Sequence, residues 1–305
     1  MKLITRADFD GFCCAMLLKE MDIIDQYQFV HPKDVQDGKI KVTKEDVLAN
    51  MPYAKEPGLW FDHHASETAR KAYGAFTGKS DDTAPSCARV VYEYYGGSDT
   101  FAPGFDELVR AADMFDSAAL SRADILQPSG WLLLAFILDP RTGLERFTQE
   151  FSTGLEAMII HLVENHRHKN LFELFELPAI KERAHKYFEQ ERHFKSMLSS
   201  RVVIKGNAIV LDVRDLEQIP AGNRFLEYAL FPDQNVSLRI MWGPGRQRVV
   251  IAVGKSIINR SCKTDIGALM LKYGGGGHRT VGTCQVKPDK APGILAEIFA
   301  VLNSQ

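Results

Sequence analysis

A short apolar run, Leu59-Trp60-Phe61, ends in one carboxylate and two imidazoles, Asp62-His63-His64. A buried strand that delivers metal ligands to the edge of a sheet has this pattern. Carboxylate oxygen and imidazole nitrogen together suit Mn, Mg, Zn or Fe. The alternative is a chance Asp-His-His on a surface turn, because such short motifs recur without function.

Four further aspartates lie at the ends of apolar or helical stretches. Asp8 and Asp10 follow a strand predicted at residues 2–4, and Asp113 and Asp116 lie at the end of a helix predicted from residue 105. Burying unpaired carboxylates together is costly, and a divalent cation is the usual compensation. In the alternative, Asp8 caps the first helix and Asp10 lies in its first turn. Capping does not explain an Asp-His-His at a later strand end, so we predict a metal site.

Four consecutive glycines before His278 form a second pattern with chemical meaning. Glycine adopts positive φ and lets backbone N–H groups approach a ligand, and concave arrays of N–H groups favour anions. A flexible linker is the alternative, but the predicted helix and strand on either side are too close for one. Upstream, a guanidinium offers two bonds to a phosphate. The predicted substrate-binding residues are Ser256, Arg260, Gly275, Gly276, Gly277 and His278.

The composition is that of a globular protein, with 45% hydrophobic and 25% charged residues over 305 positions, enough for two domains. The net charge of -2 gives no basic field, so an anionic substrate needs a local site. The five cysteines include no C-x-x-C, which favours a reducing, cytoplasmic compartment. The longest apolar run, residues 131–138, is far shorter than the roughly 20 residues of a membrane span. Charged Asp8 and Asp10 argue against a signal peptide.

The elements that position these residues alternate in the first half of the chain, which predicts a mostly parallel sheet. In such a sheet, ligands bind at the carboxyl ends of the strands. Strands are predicted at 2–4, 28–30, 46–49 and 59–61. Helices are predicted at 11–21, from a cap at Thr83 through Pro85 to about 95, and at 105–114.

The second half changes in character. Residues 130–198 are predominantly helical, and the charged stretch 179–198 suggests a solvated helix between two domains. Strands at 202–204, 208–212, 236–242, 248–253 and 283–286, with helices at 265–273 and 294–302, predict a separate α/β unit. The predicted fold is therefore α/β: a parallel-sheet domain at 1–185, a helical linker at 179–198 and a smaller α/β domain at 200–305.

Taken together, Asp8-Phe9-Asp10-Gly11, Asp62-His63-His64, Ala112-Asp113 and Gly-Gly-Gly-Gly-His resemble the DHH phosphoesterase superfamily over nearly the whole chain. The resemblance implies a metal-dependent phosphoesterase that hydrolyses a phosphodiester or phosphoanhydride in the cleft between two domains. Implied substrates are a short single-stranded oligonucleotide, a nucleotide, a cyclic dinucleotide or polyphosphate. The C-terminal part is similar to the DHH-associated substrate-binding domain. Whether the chain forms a homodimer is left open.

The resemblance also implies residue roles. Asp10, His63 and Asp113 would hold one metal ion and Asp8 would belong to a second, with Asp116 as the reserve candidate for the place of Asp113. Asp62 would be a ligand or would orient its neighbours, and His64 would contact the phosphate or protonate the leaving oxygen.

Two positions depart from the superfamily pattern. Arg6 stands where many members have a histidine ligand, and Asn50 stands where members have an aspartate that bridges two metals. We therefore expect one tightly bound ion, Mn²⁺ with Mg²⁺ as the alternative, and positive charge from Arg6 at the other position. These departures also define an alternative function, a member that binds a nucleotide or phosphate ligand without turnover. An NAD-binding Rossmann protein is disfavoured, because no G-x-G-x-x-G follows the first strand.

Overall fold

The chain forms two compact units in a computed structural model that describes residues 1–70 and 74–304. The first unit comprises residues 1–119 and 128–187, and the second comprises residues 120–127 and the chain from residue 188 onward. The assignment of residues 120–127 to the second unit has no signal in the sequence. The functional domains expected at 1–185 and 200–305 remain a prediction. Among the described helices, none is long and apolar enough to cross a membrane.

Five short strands form the sheet of the first unit: β1 (Lys2–Thr5), β2 (Gln26–Phe29), β3 (Asp46–Ala49), β4 (Leu59–Asp62) and β5 (Gly78–Ser80). All neighbours are parallel, in the order β2-β1-β3-β4-β5. Leu3, Ile4, Leu48, Trp60 and Phe61 are fully buried. Parallel strands are buried on both faces and therefore read as continuous apolar runs, which is why the sequence indicates β1, β3 and β4 so clearly.

Ten helices precede the second sheet in chain order. They are α1 (Phe9–Glu20), α2 (Pro32–Gln36), α3 (Ala65–Arg70), α4 (Cys87–Tyr94), α5 (Pro103–Asp116), α6 (Arg122–Leu126), α7 (Gly130–Leu138), α8 (Leu155–Asn165), α9 (Leu171–Phe175) and α10 (Pro178–Arg201). Short 3₁₀ turns lie at Gly97–Asp99, Pro140–Thr142 and Leu144–Glu150.

Helix α4 begins later than the sequence predicts. Its cap is Ser86, whose hydroxyl accepts from the N–H of Arg89. The expected cap, Thr83, instead donates its N–H and its hydroxyl to the side chain of Asp81, at 3.1 and 2.7 Å. The prediction of Thr83 as the cap is wrong because this aspartate, two residues earlier, captures it in a turn.

Helix α10 is less solvated than its charged sequence suggests. Arg183 is fully buried; it donates to the carbonyl of Thr153 at 2.8 Å and lies 4.3 Å from the ring centre of Phe151. Ile180 and Tyr187 are buried as well. The helix expected at 179–198 is present, and it is solvated over only part of its surface, because a guanidinium can be buried when carbonyl and aromatic groups surround it.

The second unit contains a six-stranded mixed sheet. Its strands are β6 (Val203–Lys205), β7 (Ala208–Asp212), β8 (Val236–Trp242), β9 (Val249–Lys255), β10 (Gly276–His278) and β11 (Val281–Val286), in the order β10-β11-β9-β8-β7-β6. Only the β7–β8 pair is parallel among these described strands. After β7 this unit contains the helices α11 (Leu226–Leu230), α12 (Ile266–Leu271) and α13 (Ala291–Asn303). Helix α6 and the part of α10 from residue 188 onward also belong to it. Val236, Leu238, Ile251 and Ile298 belong to its apolar core.

Candidate metal centre and substrate-binding loop

The candidate site is built from strand ends and helix ends of the first unit. Asp8 follows β1 and caps α1, accepting from the N–H of Gly11 at 3.0 Å, and Asp10 lies in the first turn of α1. His63 and His64 follow directly after β4, and Asp116 is the last residue of α5. The predicted clustering of side chains at the carboxyl ends of β1 and β4 is therefore present.

Asp10, His63 and Asp116 form a group in which one ligand atom of each lies within 4.8 Å of the others. Nε2 of His63 lies 3.1 Å from Oδ2 of Asp116 and 3.8 Å from Oδ2 of Asp10. Two carboxylates and an imidazole are a ligand set that suits Mn²⁺, Mg²⁺ and Zn²⁺. Within the described part of the chain, this is the one group of three such ligands.

The orientation of the ligands also fits a cation. Asp10 is buried and accepts from the N–H groups of Cys87 and Ala88 at 3.0 and 2.8 Å, so the amino end of α4 fixes its carboxylate. Nε2 of His63 is buried, and it makes no hydrogen bond of acceptable geometry to any described residue. A buried ring nitrogen that points at two carboxylates without a hydrogen bond is placed as a metal ligand would be.

In the absence of a cation, Asp10, His63 and Asp116 shift one another's pKa values. Burial raises the pKa of Asp10 to about 7, and the neighbouring charge of Asp116 acts in the same direction. Burial alone would lower the pKa of His63, but the carboxylates of Asp116 and Asp10 raise it to about 9. Burial would raise the pKa of Asp116, yet His63 holds it below its usual value. A protonated imidazole thus stands between two carboxyl groups, where a cation would take the place of the proton.

Asp113 has other partners. Its carboxylate accepts from Nη2 of Arg89 at 2.6 Å, from Nε of Arg89 at 3.0 Å and from the hydroxyl of Ser86 at 2.7 Å. Ser86 is also the cap of α4. The structure therefore brings the reserve candidate Asp116 to the metal group, whereas Asp113 ties α5 to the start of α4.

Asp8 lies beside the two positions that depart from the superfamily pattern. Nε of Arg6 lies 3.1 Å from its Oδ2, and Nδ2 of Asn50 lies 3.5 Å from its Oδ1. Asn50 has a positive φ of 57°, which asparagine tolerates better than most residues. Burial raises the pKa of Asp8, and the charge of Arg6 opposes that shift. Arg6 thus supplies the cation that contacts Asp8 in this structure.

Asp62 and His64 form a pair of their own. Oδ1 of the fully buried Asp62 lies 2.8 Å from Nδ1 of His64, and its Oδ2 accepts from the backbone N–H of His64 at 3.2 Å. Burial alone would lower the pKa of His64, but the carboxylate of Asp62 raises it above its usual value. The His64 side chain is 44% exposed, so its ring can reach a ligand in solvent. Of the two roles expected for Asp62, this geometry fits the orienting one.

Arg141 is a charged residue near the site that sequence reasoning missed. It lies in the turn after α7 and donates from Nε to the buried Asp139 at 2.7 Å. Burial would lower its pKa, but Asp139 first, and then Asp8 and Asp116, raise it. No motif surrounds Arg141, so the sequence offered no reason to select it. Its place near the site follows from the folding of the chain.

In the second unit, the glycine run is partly a strand. The run turns through positive φ at Gly274 and Gly277, as predicted, but β10 pairs with β11 from Gly276 onward. A Cβ atom on Gly277 would lie 2.2 Å from the carbonyl oxygen of Val281, so strand pairing requires glycine there. At Gly276, no described atom lies within 4 Å of such a Cβ atom. Packing does not require glycine at this position.

The other predicted substrate residues differ in exposure. Ser256 is buried, and its hydroxyl accepts from the N–H groups of Ile258 and Asn259 at 3.2 and 3.0 Å, which gives it a role in the local turn. Arg260 is exposed and donates from Nε to the carbonyl of Ile257 at 3.1 Å. His278 is exposed at the end of β10. Their roles in substrate binding remain predictions.

Comparison with known proteins decides the family. No protein-family model matches the sequence, and no curated protein matches it. The solved structure of the pGpG-specific phosphodiesterase PggH from Vibrio cholerae is 42% identical to this chain, with 99% of each chain covered and a TM-score of 0.90. The chain belongs to the DHH phosphoesterase superfamily. The α/β fold and the superfamily membership expected from the sequence are thereby confirmed.

Two more distant solved structures are also similar to this chain. The DHH domain of a member of the s1p family of ribosomal proteins is 15% identical, with 98% of this chain and 85% of that chain covered and a TM-score of 0.57. Exonuclease RecJ bound to manganese is 13% identical, with 100% and 90% covered and a TM-score of 0.49. The first supports the fold alone, and the second is too dissimilar to support a conclusion about this chain.

As a DHH phosphoesterase, the chain is a metal-dependent hydrolase, which confirms the expected activity class. Asp10, His63 and Asp116 are the described residues that could hold a divalent metal ion.

Proposed function

We propose that this DHH phosphoesterase hydrolyses the linear dinucleotide pGpG to two guanosine monophosphates. The observation that carries the proposal is the 42% identity to the pGpG-specific phosphodiesterase PggH over 99% of both chains. A weaker relative would support only the fold, but similarity at this level extends through both units. The metal group after β1 and β4 is consistent with a reaction at a phosphodiester.

A hydrolysis screen tests this substrate directly. The full chain with Mn²⁺ would be incubated with pGpG, pApA, a cyclic dinucleotide and polyphosphate, and products would be separated by ion-exchange chromatography. We expect pGpG to have the highest kcat/KM and to yield guanosine monophosphate. Faster turnover of polyphosphate or of a cyclic dinucleotide would refute pGpG as the substrate while leaving the phosphoesterase activity intact.

In the proposed site, Asp10, His63 and Asp116 hold one divalent ion. When bound, such an ion lowers the pKa of water and offsets negative charge on the phosphoryl oxygens. Asp62 orients the ring of His64, which donates a proton to the leaving oxygen. Arg6 and Arg141 add fixed positive charge, which favours a phosphate with two or more negative charges.

We expect the affinity for Mn²⁺ to rise from about pH 6 to about pH 9. The folded-state pKa of Asp10 is about 7 and that of His63 about 9, both above their ordinary values. Below both values the metal must displace about two protons, between them about one, and above them none. Isothermal titration in buffers of different ionisation enthalpy measures this release. His63→Gln should reduce the number of displaced protons by one at low pH, and an affinity that is flat from pH 6 to 9 in the unmodified chain would contradict the assignment.

We also expect close to one Mn²⁺ per chain after purification without chelator. The Asp8 carboxylate accepts from Gly11, contacts Asn50 and pairs with Arg6 at 3.1 Å, so it is not offered to a second ion. Two divalent ions roughly 3.5–4 Å apart repel each other, and bridging anions must offset that repulsion. Elemental analysis gives the count, and two metals per chain would show that other ligands compensate for Arg6 and Asn50.

The converse variant provides the control for this count. Arg6→His with Asn50→Asp adds an imidazole and a carboxylate, and should raise occupancy towards two. Arg6→Gln alone removes the guanidinium without adding a charged ligand, and should leave occupancy at one. If the double variant gains neither metal nor activity, the explanation by Arg6 and Asn50 is wrong.

We expect Arg260→Ala to raise KM for pGpG at least tenfold and to change kcat little. The exposed guanidinium and His278 would both bind substrate phosphate, and losing an interaction made equally in the ground and transition states raises KM alone. Gly276→Ala should act in the same direction, because a methyl group there meets no described atom but would obstruct a ligand. Gly293→Ala, which is equally open and lies on α13 of the same unit, is the matched control. A fall in kcat with KM unchanged would contradict this role for Arg260.

A further inference from the structure

The first unit contains a cavity that lies away from the metal group formed by Asp10, His63 and Asp116. It has a volume of about 620 Å³, and Met16, Phe105, Leu108, Trp131 and Phe172 line its apolar wall. This volume falls in the range of roughly 300–1,000 Å³ that is typical of small-molecule sites. Phe105 is eleven residues before Asp116 on α5, which corresponds to about 16 Å along the helix axis. A ligand in this cavity would therefore not touch Asp10, His63 or Asp116.

The apolar wall offers aromatic surface to a planar ring. The side chain of Phe172 on α9 is 77% exposed, which is unusual for an aromatic residue. Trp131, at the start of α7, is partly buried and lines the same cavity. Stacking on such side chains makes binding more favourable for any of the nucleic-acid bases, because every base has a π face.

Three consecutive basic residues form the polar rim of the cavity: Arg167, His168 and Lys169. Arg167 is anchored, since Nη1 donates to the carbonyl of Val163 at 2.6 Å and Nε lies 3.4 Å from Glu20. His168 is 68% exposed and Lys169 is 38% exposed, with Lys169 3.7 Å from Glu173. Glu107 is the acidic residue that lines the cavity. Glu20 also lies 3.4 Å from Nε2 of His168, so Arg167 and His168 share one carboxylate. Lys169 is the most loosely paired cation of the rim, and it offers N–H donors to an anion.

From these features we infer that the cavity binds a nucleoside monophosphate, separately from the site of hydrolysis. The base lies against Phe172 and Trp131, and the phosphate lies at Lys169 and His168. A purely apolar ligand would leave the basic rim unused, and inorganic phosphate would leave the aromatic wall exposed. A nucleoside monophosphate combines both features in a molecule of fitting size.

Binding of guanosine and adenosine monophosphate to the full chain tests the inference. Titrations would be run by calorimetry in the presence of EDTA, since a monophosphate has no phosphodiester to hydrolyse and a chelator removes the metal ion. We expect saturable binding of at least one of the two, with guanosine or adenosine and inorganic phosphate each at least tenfold weaker. Equal affinity for the nucleoside and its monophosphate would overturn the role of the rim.

Variants locate the bound nucleotide. Phe172→Ala should weaken binding at least about fivefold, the lower end of the effect of base–aromatic stacking, and Lys169→Ala should weaken it and reduce its dependence on salt. Leu271→Ala, which removes a side chain that is 68% exposed in the second unit, is the matched control and should change nothing. Asp10→Asn and Arg260→Ala should leave the affinity unchanged. Loss of binding in either, or full affinity in Phe172→Ala, would place the nucleotide elsewhere and overturn the inference.

The result is separable from the proposed hydrolysis of pGpG. Phe172→Ala should keep kcat/KM for pGpG within about twofold of the unmodified chain at low product concentration. A chain that binds nucleoside monophosphate in this cavity but hydrolyses a different substrate would refute the proposed function alone. A chain that hydrolyses pGpG and binds no monophosphate in EDTA would refute the cavity alone.

Discussion

We expect Asp116→Asn to lower kcat/KM for the phosphodiester substrate by roughly 10³-fold, about 4 kcal/mol of transition-state stabilisation. The substitution keeps the size of the side chain but removes a negative charge from the group formed with Asp10 and His63. An amide oxygen can still contact a cation, but it offsets none of its charge. Mn²⁺ affinity should therefore fall at least tenfold, as measured by calorimetry.

Asp113→Asn is the matched control, because both residues are aspartates in the last turn of α5. We expect it to leave kcat/KM within tenfold and Mn²⁺ affinity unchanged. Its cost should appear in stability instead, since Asp113 accepts from Arg89 at 2.6 Å and from Ser86 at 2.7 Å. Losing charge-assisted bonds of this kind lowers the free energy of unfolding by about 2 kcal/mol, which a lower Tm would report. The reverse pattern, with metal affinity lost in Asp113→Asn, would assign the ligand to Asp113.

The contrast between these two aspartates shows where sequence reasoning ends. Both lie in the last turn of the same helix, and residues three apart point in similar directions on a helix. Which of them faces the metal group depends on how α5 is rotated, and the packing of its buried residues, such as Leu108 and Ala112, decides that. The superfamily pattern favoured Asp113, but the guanidinium of Arg89, whose position no motif predicts, holds its carboxylate.

The sequence predicts a strand well where the strand is buried and therefore consists of a run of apolar residues. β3 was located to the residue and β1 and β4 to within one residue, because each is an apolar run that ends in polar residues. β5 was missed. It is only Gly78–Ser80, without an apolar side chain, and it is a strand because it pairs with Trp60, Phe61 and Asp62. A strand specified by its neighbour carries little signal of its own.

The sequence indicated which unusual residues belong to the site, but it did not indicate which charged side chains contact each other there. Arg6 and Asn50 stood out against the superfamily pattern, and the structure places both beside Asp8. Arg141 had no such reference, since it lies more than a hundred residues away from Asp8 in the sequence. Electrostatic partners of this kind depend on chain folding over long distances, which local sequence patterns do not record.

His64→Gln should lower kcat by about 10²–10⁴-fold, the usual contribution of a general acid. KM should change much less, because the proton is transferred only in the transition state. His64 is suited to this role because its ring is 44% exposed while Nδ1 is held 2.8 Å from Oδ1 of Asp62. Steady-state kinetics with pGpG measures both constants, and Mn²⁺ affinity measured in parallel should stay within about threefold.

The pH profile separates proton donation from a merely structural role. The pKa of His64 is raised above its usual value, so its acid form persists to higher pH than that of a free imidazole, and the rate should fall as pH rises through the raised pKa. Burial lowers this pKa and the Asp62 carboxylate raises it, so Asp62→Asn should move the alkaline limb to lower pH. We also expect a loss of roughly 10–100-fold in kcat at neutral pH, as for other groups that orient a reacting histidine. A leaving group that needs no proton, such as 4-nitrophenol, should restore most of the rate of His64→Gln. If it restores none, and the alkaline limb stays in place in Asp62→Asn, His64 is not the proton donor.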